Sequence, residues 1–255
     1  MKSLFLQSES LYRLTLKLRY GRSRASIPAT ATLPNAVLQS HAEWRQAAGN
    51  ARQLHLPLHP SEEKNWDHLA AVEAILSSTP KTGRVLDAGA EMYSNVLPAL
   101  YVCGYRNLFG MNLSFTDPAR RGPIRYLPGD ITCTGFADDF FDAVSCMSVI
   151  EHGVPIEAYF REMYRVLKPG GLLVTSTDYY PEPIDTMGKM AHGAPIKIFN
   201  RQEIEEMLDQ STKCGFELTA EIDLLQCAGR PIRWDLYDLE YTFLIFTLRK
   251  PAASC

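Results

Sequence analysis

The 255-residue sequence lacks any apolar run of the roughly 18 residues that a membrane-spanning helix needs, so no transmembrane segment is expected. Its six cysteines, Cys103, Cys133, Cys146, Cys214, Cys227 and Cys255, form no C-x-x-C pair and have no histidine at zinc-ligand spacing. No metal site is expected, and reduced thiols fit a cytoplasmic protein. The chain does not open on a continuous apolar segment ending in a small-residue cleavage site, which argues against secretion. Its Arg- and Ser-rich start nevertheless has the composition of an organellar transit peptide. Internal repeats are absent as well.

What is present is the composition of an ordinary globular protein, 46% hydrophobic and 22% charged. At roughly 150 residues per domain the length suits one large α/β domain with extra segments. The charge is unevenly placed. Residues 1–24 hold Lys2, Arg13, Lys17, Arg19, Arg22 and Arg24 against Glu9 alone, leaving the remainder 20 basic and 28 acidic residues, a net of −8. An acidic main domain repels phosphate backbones, so a nucleic-acid substrate is disfavoured and a small-molecule acceptor preferred. We divide the chain into a basic N-terminal extension and linker (1–60), a main domain (61–250) and a tail (251–255). Within the extension, "LYRLTLKLRYG" alternates Leu14, Leu16, Leu18 and Tyr20 with polar residues and predicts a half-buried strand. Such a strand is either a solvated edge or a peripheral contact with an anionic surface or lipid headgroup. "SRASIPATATLPN" reads as a linker.

From "SEEKNWDHLAAVEAILSS" onward the pattern is regular. Trp66, Leu69, Ala71, Val72 and Leu76 form a helical apolar stripe, and "TPKTG" turns into the strand "RVLDAGA". "NVLPALYVCG" reads as a helix capped by Ser94 and ended by Gly104. "NLFGMNLS", "IRYLPGDIT" and "FDAVSCMSV" follow as strands. The helix that begins at Pro155 is stopped by "KPGG", which enters the strand "LLVTSTDYY". In "FNRQEIEEMLDQ", Asn200 and Glu203 have capping-box spacing, and "FELTAEIDLL" and "YTFLIFTLRK" close the chain as strands. Strand alternating with helix predicts an α/β, Rossmann-like doubly wound and mostly parallel sheet with helices on both faces.

In such a sheet a ligand sits beyond the carboxyl ends of the strands. "VLDAGAEMYS" places Asp87 at a strand end and Gly89 in a tight loop. The dinucleotide fingerprint G-x-G-x-x-G is not met, because no later glycine follows and Asn112 rather than an acid ends the second strand. The series "VLDAGA", "GMNLS", "GDIT", "FADDFFDAVSCMSVIEHG", "EMYRVLKPGGLLVTSTDYY" and "RQEIEEMLDQSTKCGFEL" resembles the class I S-adenosylmethionine-dependent methyltransferases of the small-molecule, type 11 kind over about residues 62–249. The resemblance implies a seven-stranded sheet of order 3-2-1-4-5-7-6 with an antiparallel last strand. It further implies Asp87 and Gly89 at the methionine end of the cofactor and Asn112 and Leu113 at its ribose. Asp130 and Ile131 would meet its adenine, with Met147 and Ser148 beneath it. Glu91 and Tyr93 replace the loop's second and third glycines; Glu91 would repel a cofactor carboxylate or attract its amino group or sulfonium, and Tyr93 could stack on or cover the site.

Methyl transfer needs positioning, and a base only where the acceptor must lose a proton. His152 and Asp178 are the candidate bases, the former also readable as a packing histidine. Asp178, Tyr179, Tyr180, Glu182 and Asp185, with His192 beyond, form an acidic aromatic loop suited to a hydroxyl-rich or cationic acceptor, and O-methylation of a hydroxyl is the favoured reading. The alternative is a non-catalytic binding or scaffold protein of the same fold, which a Glu91 filling the methionine end would favour. Oligomeric state is open.

Overall fold

The computed structural model describes residues 7–21, 34–191 and 193–252. Its first element is α1 (Glu9–Tyr20), a helix and not the strand that the alternation predicts. Leucines two apart also contain pairs four apart, and Leu, Lys and Arg all favour helix. Tyr12 and Leu16 therefore share the buried face, while Leu14 and Leu18 point outward. Gly21, at φ +87°, ends the helix by donating its backbone N–H to Lys17 O. The linker "SRASIPATATLPN" lies almost wholly outside the described residues.

The chain then forms β1 (Ala36–Val37), α2 (His41–Gln53), a 3-10 turn (Glu62–Lys64), α3 (Asn65–Ser78), β2 (Arg84–Ala88) and α4 (Val96–Val102). β3 (Asn107–Asn112), β4 (Ala119–Arg121), β5 (Ile124–Pro128) and β6 (Phe141–Met147) precede α5 (Ile156–Val166) and β7 (Leu167–Tyr179). A small hairpin of β8 (Met190–Ala191) and β9 (Ala194–Pro195) leads to α6 (Arg201–Lys213), β10 (Glu217–Leu218), β11 (Ile232–Trp234) and β12 (Leu239–Arg249). Residues 34–60 are packed into the same body, with Val37, Leu38, Ala48, Ala51 and Leu56 all buried.

The main sheet runs β12-β7-β6-β2-β3-β5-β4. β5, β3, β2, β6 and β7 are mutually parallel and β12 is antiparallel, the arrangement the resemblance implies. The implied sixth strand shrinks to two residues, and the outer edge of β12 is shared by β11, β1 and β10. Asn35 explains the truncation. Its carboxamide oxygen accepts from the Thr247 N–H at 2.7 Å and its amide donates to Ala220 O, so a side chain occupies the place of further strand pairing.

Alternate residues of the central strands feed two cores. Leu86, Val144 and Leu173 pack with Phe160, Met163 and Ile204 of α5 and α6. Val85, Ala143 and Leu172 pack with Val72, Ile75, Leu97 and Leu100 of α3 and α4, where Tyr12 and Leu16 also lie. The capping box of Asn200 and Glu203 is formed in both directions. Ser94 does not cap α4. Its hydroxyl accepts instead from the Glu91 N–H at 3.0 Å, and Asn95 stands at the cap position. Among the described residues no helix is long and apolar enough to cross a membrane.

Candidate cofactor and acceptor site

The carboxyl ends of β2, β3, β5, β6 and β7 converge on one edge. Asp87 ends β2 with its carboxylate buried, and Oδ1 accepts from Ser145 Oγ on β6 at 2.8 Å. Burial pushes its pKa up to about 7, against the opposing pull of the Ser145 hydrogen bond. Gly89 follows at φ +88°, and a Cβ there would lie 2.3 Å from Val149 Cγ2. Only glycine lets this loop pass so close to the loop after β6.

Glu91 turns toward the neighbouring strand. The turn held by Ser94 swings its half-buried side chain to the end of β3, where Oε1 accepts from Ser114 Oγ at 3.0 Å and from Asn112 Nδ2 at 3.3 Å. Asn112 also donates to Gly89 O at 2.9 Å and accepts from the Ser114 N–H at 2.8 Å. Its amide thus ties two loops together, and a carboxylate is restored beside the strand end where the sequence has lost one. Leu113 projects outward next to this group and Tyr93 is exposed on the same edge.

Past β5, Asp130 is exposed, and its Oδ1 accepts from the Thr132 N–H and hydroxyl, both at 2.8 Å. Ile131 beside it is buried. At the end of β6, Met147 Sδ lies 3.7 Å from Ser176 Oγ, while Ser148 adopts φ +52° and donates its N–H to Ser176 O at 3.0 Å. A glycine cradle, an exposed carboxylate beside a buried aliphatic residue, and a second carboxylate held at the neighbouring strand end fit a charged adenine nucleoside.

A buried ionic cluster adjoins these groups. Lys64 reaches in from the turn before α3. Its Nζ donates to Ser148 Oγ at 2.6 Å, lies 3.9 Å from the Phe243 ring centre and sits 3.7 Å from Asp178 Oδ1. Burial by itself would depress the ammonium, but Asp178, Asp67 and Glu151 more than reverse this and hold its pKa above the ordinary value. Asp67, on α3, accepts from Ser176 Oγ at 2.6 Å. Glu151 Oε2 accepts from Thr177 Oγ1 at 3.1 Å. Burial raises both Glu151 and Asp178, and their mutual repulsion adds to the rise for Glu151, while Lys64 opposes it in each case. Asp178 Oδ1 is buried, with the Lys64 ammonium 3.7 Å away and the Tyr241 hydroxyl bonded to the same carboxylate. His152 is half-buried on the same edge, and its backbone N–H donates to Val149 O at 3.0 Å.

Sequence reasoning missed Lys64 and Asp67 and passed over Glu151. A signal existed. "KNWDHL" puts Asn65, Asp67 and His68 in the first turn of an otherwise apolar helix, and all three are buried. Buried polar groups at a helix start beside a candidate site need partners, and here the partners are the site. His192 lies outside the described residues.

A mostly parallel sheet with loops gathered at the carboxyl ends of its strands, beside a buried carboxylate pair, defines an α/β domain of the Rossmann-like kind. Residues 88–175 match the family profile described as a methyltransferase domain. Residues 88–175 thus carry a methyltransferase domain, in keeping with the S-adenosylmethionine-dependent methyltransferases that the sequence resembles. Over 110 residues it is 31% identical to the sterol 24-C-methyltransferase of Candida albicans, covering 40% of this chain and 28% of that protein. The chain thus spans under a third of the length of that curated relative. The 1,6-didemethyltoxoflavin-N1-methyltransferase of Burkholderia thailandensis superposes with a TM-score of 0.52 at 17% identity, covering 83% of this chain and 87% of that one. The [4+2]-cyclase SpnF does so with a TM-score of 0.52 at 17% identity, covering 88% and 100%.

Proposed function

We propose that the protein transfers a methyl group from S-adenosylmethionine to a hydroxyl of a small-molecule acceptor. The observation that carries the hydroxyl is the buried carboxylate pair of Asp178 and Glu151 at the carboxyl edge of the sheet, faced by the Lys64 ammonium. An acceptor O–H gives up its proton to Asp178, and the neighbouring Glu151 lets the pair hold a proton at neutral pH. Lys64, an ammonium throughout, keeps the pair from drifting apart electrostatically and is no base itself. His152 is the second proton acceptor, on the way to solvent.

The cofactor, when bound, supplies an electrophilic methyl group on a sulfonium. Asp87 and Gly89 are assigned to its methionine end, and Met147 and Ser148 lie under it. Glu91, held by Asn112 and Ser114, accepts from the ribose hydroxyls beside Leu113. Asp130 and the Ile131 backbone receive the adenine. Restoring an acceptor from the β2 loop explains how position 112 tolerates an amide.

The test is transfer of labelled methyl from S-adenosylmethionine across a panel of hydroxylated and amine acceptors. Asp178→Asn is expected to lower turnover about a hundredfold while retaining S-adenosylhomocysteine binding, the loss typical of a removed general base. Equal turnover in wild type and Asp178→Asn, or transfer to amines alone, sinks the hydroxyl reading. A second reading, a non-catalytic binding protein, is favoured by Lys64, whose ammonium is already bonded to Ser148 under the proposed cofactor position. It predicts no transfer to any acceptor, together with retained ligand binding.

A further inference from the structure

We infer that α1 is an interfacial helix that lays its outward face on an anionic lipid surface. The inward face is fully engaged. Tyr12 stacks on Tyr101 at 5.5 Å between ring centres, and Gly122 leaves room for it, since a Cβ there would come within 2.8 Å of the Tyr12 ring. Glu9 pairs with Arg106 at 3.2 Å, and at the other end His55 Nδ1 meets Tyr20 O at 2.7 Å. The helix is therefore fixed to the domain by one side only.

The other side packs against none of the described residues and is chemically two-part. Leu14 and Leu18, four apart, are 49% and 78% exposed, with Leu11 half-buried beside them. Arg13 and Lys17 are exposed along one flank, and Arg19 is exposed at the last turn on the side of Tyr12. An apolar stripe flanked by cations is what the boundary between headgroups and acyl chains accommodates, with leucines inserted and ammonium and guanidinium groups at the phosphates. A nucleic acid answers the cations and leaves the leucines in water. Charge also sets the orientation. The sequence beyond residue 24 carries a net of −8, so an anionic surface attracts this helix and repels the rest of the chain. The Tyr20 end borders His55, and four residues on His59 packs 5.4 Å from Tyr93 at the edge where the β2 loop opens. A docked helix brings that edge toward the lipid. The inference stands whether or not the chain transfers methyl groups.

The test is co-sedimentation of the full chain with phosphatidylcholine vesicles, with and without phosphatidylserine, at low and high salt. Wild type is expected to pellet with the phosphatidylserine vesicles and to be released by salt. Leu14→Ser/Leu18→Ser is expected to weaken binding by about tenfold or more without moving the thermal midpoint, because both side chains already face water. Leu18→Gln alone, at the more exposed site, serves if the double variant melts early. Arg13→Gln/Lys17→Gln is expected to weaken binding and flatten its salt dependence. Wild type left in the supernatant overturns the inference. So does binding unchanged in both leucine variants, which marks a contact that any polyanion satisfies, or equal binding to neutral vesicles.

Discussion

At Asp87 burial has moved a carboxyl group from its ordinary 3.8 to about 7, and the direction fixes what pH does. The folded state keeps a proton that the unfolded chain releases above its ordinary pKa. The Asp87 contribution to stability is therefore fully present below about pH 4 and is lost as pH rises through about 7. Asp87→Asn is expected to remove part of the fall in thermal midpoint between pH 5 and pH 8, read by calorimetry. A ligand with a cationic end reverses the preference by favouring the ionised form. S-adenosylmethionine affinity is accordingly expected to rise from pH 6 to pH 8 in wild type and to stay flat in Asp87→Asn. Gly89 makes the second residue-scale prediction. With φ at +88° and Val149 2.3 Å from any added Cβ, Gly89→Ala is expected to cost about 2 to 4 kcal/mol in urea unfolding. Val149→Ala in the same chain should recover only part of this, because the backbone strain persists. A neutral Gly89→Ala would contradict the observed loop.

Elements were legible in the sequence where their periodicity admitted one reading. α3, α5 and α6 and the five parallel strands fall where the apolar spacing and caps place them. The "LYRLTLKLRYG" segment did not, because its leucines satisfy a period of two and a spacing of four together, and only the tertiary partners Tyr101 and Gly122 choose between them. The sixth strand failed for a non-local reason, the intrusion of Asn35 from more than two hundred residues away along the Thr247 ladder. At this scale Asn200→Ala is expected to cost about 1 kcal/mol, since both halves of the capping box are lost. Lys64→Met removes the cation facing Asp178 and Asp67. It is expected to destabilise by about 2 kcal/mol at pH 8, and by less at pH 5, where Glu151, which also faces Lys64 and is pushed up to about 8 by burial, holds a proton. An equal loss at both pH values would show that packing on Phe243, not charge, is what Lys64 contributes.

For the whole molecule, the strand-to-helix order and the "VIEHG" and "KPGG" steps made the architecture readable. The site was readable only in part. Asp87, Gly89, Asp130 and Asp178 stand at strand ends, and a strand end is a local property. The direction of Glu91 was not legible because it depends on a turn closed by Ser94, and Lys64 was missed because it reaches this edge from a segment before the first parallel strand. The central claim is that this edge of the sheet holds an adenosylated cofactor, and calorimetric titration with S-adenosylhomocysteine tests it most directly. The account predicts saturable one-to-one binding to the wild-type protein, weakened about tenfold in Asp130→Ala and in Glu91→Gln, the loss expected for one charge-assisted hydrogen bond. Absence of binding to folded wild-type protein, or binding indifferent to both substitutions, would contradict it.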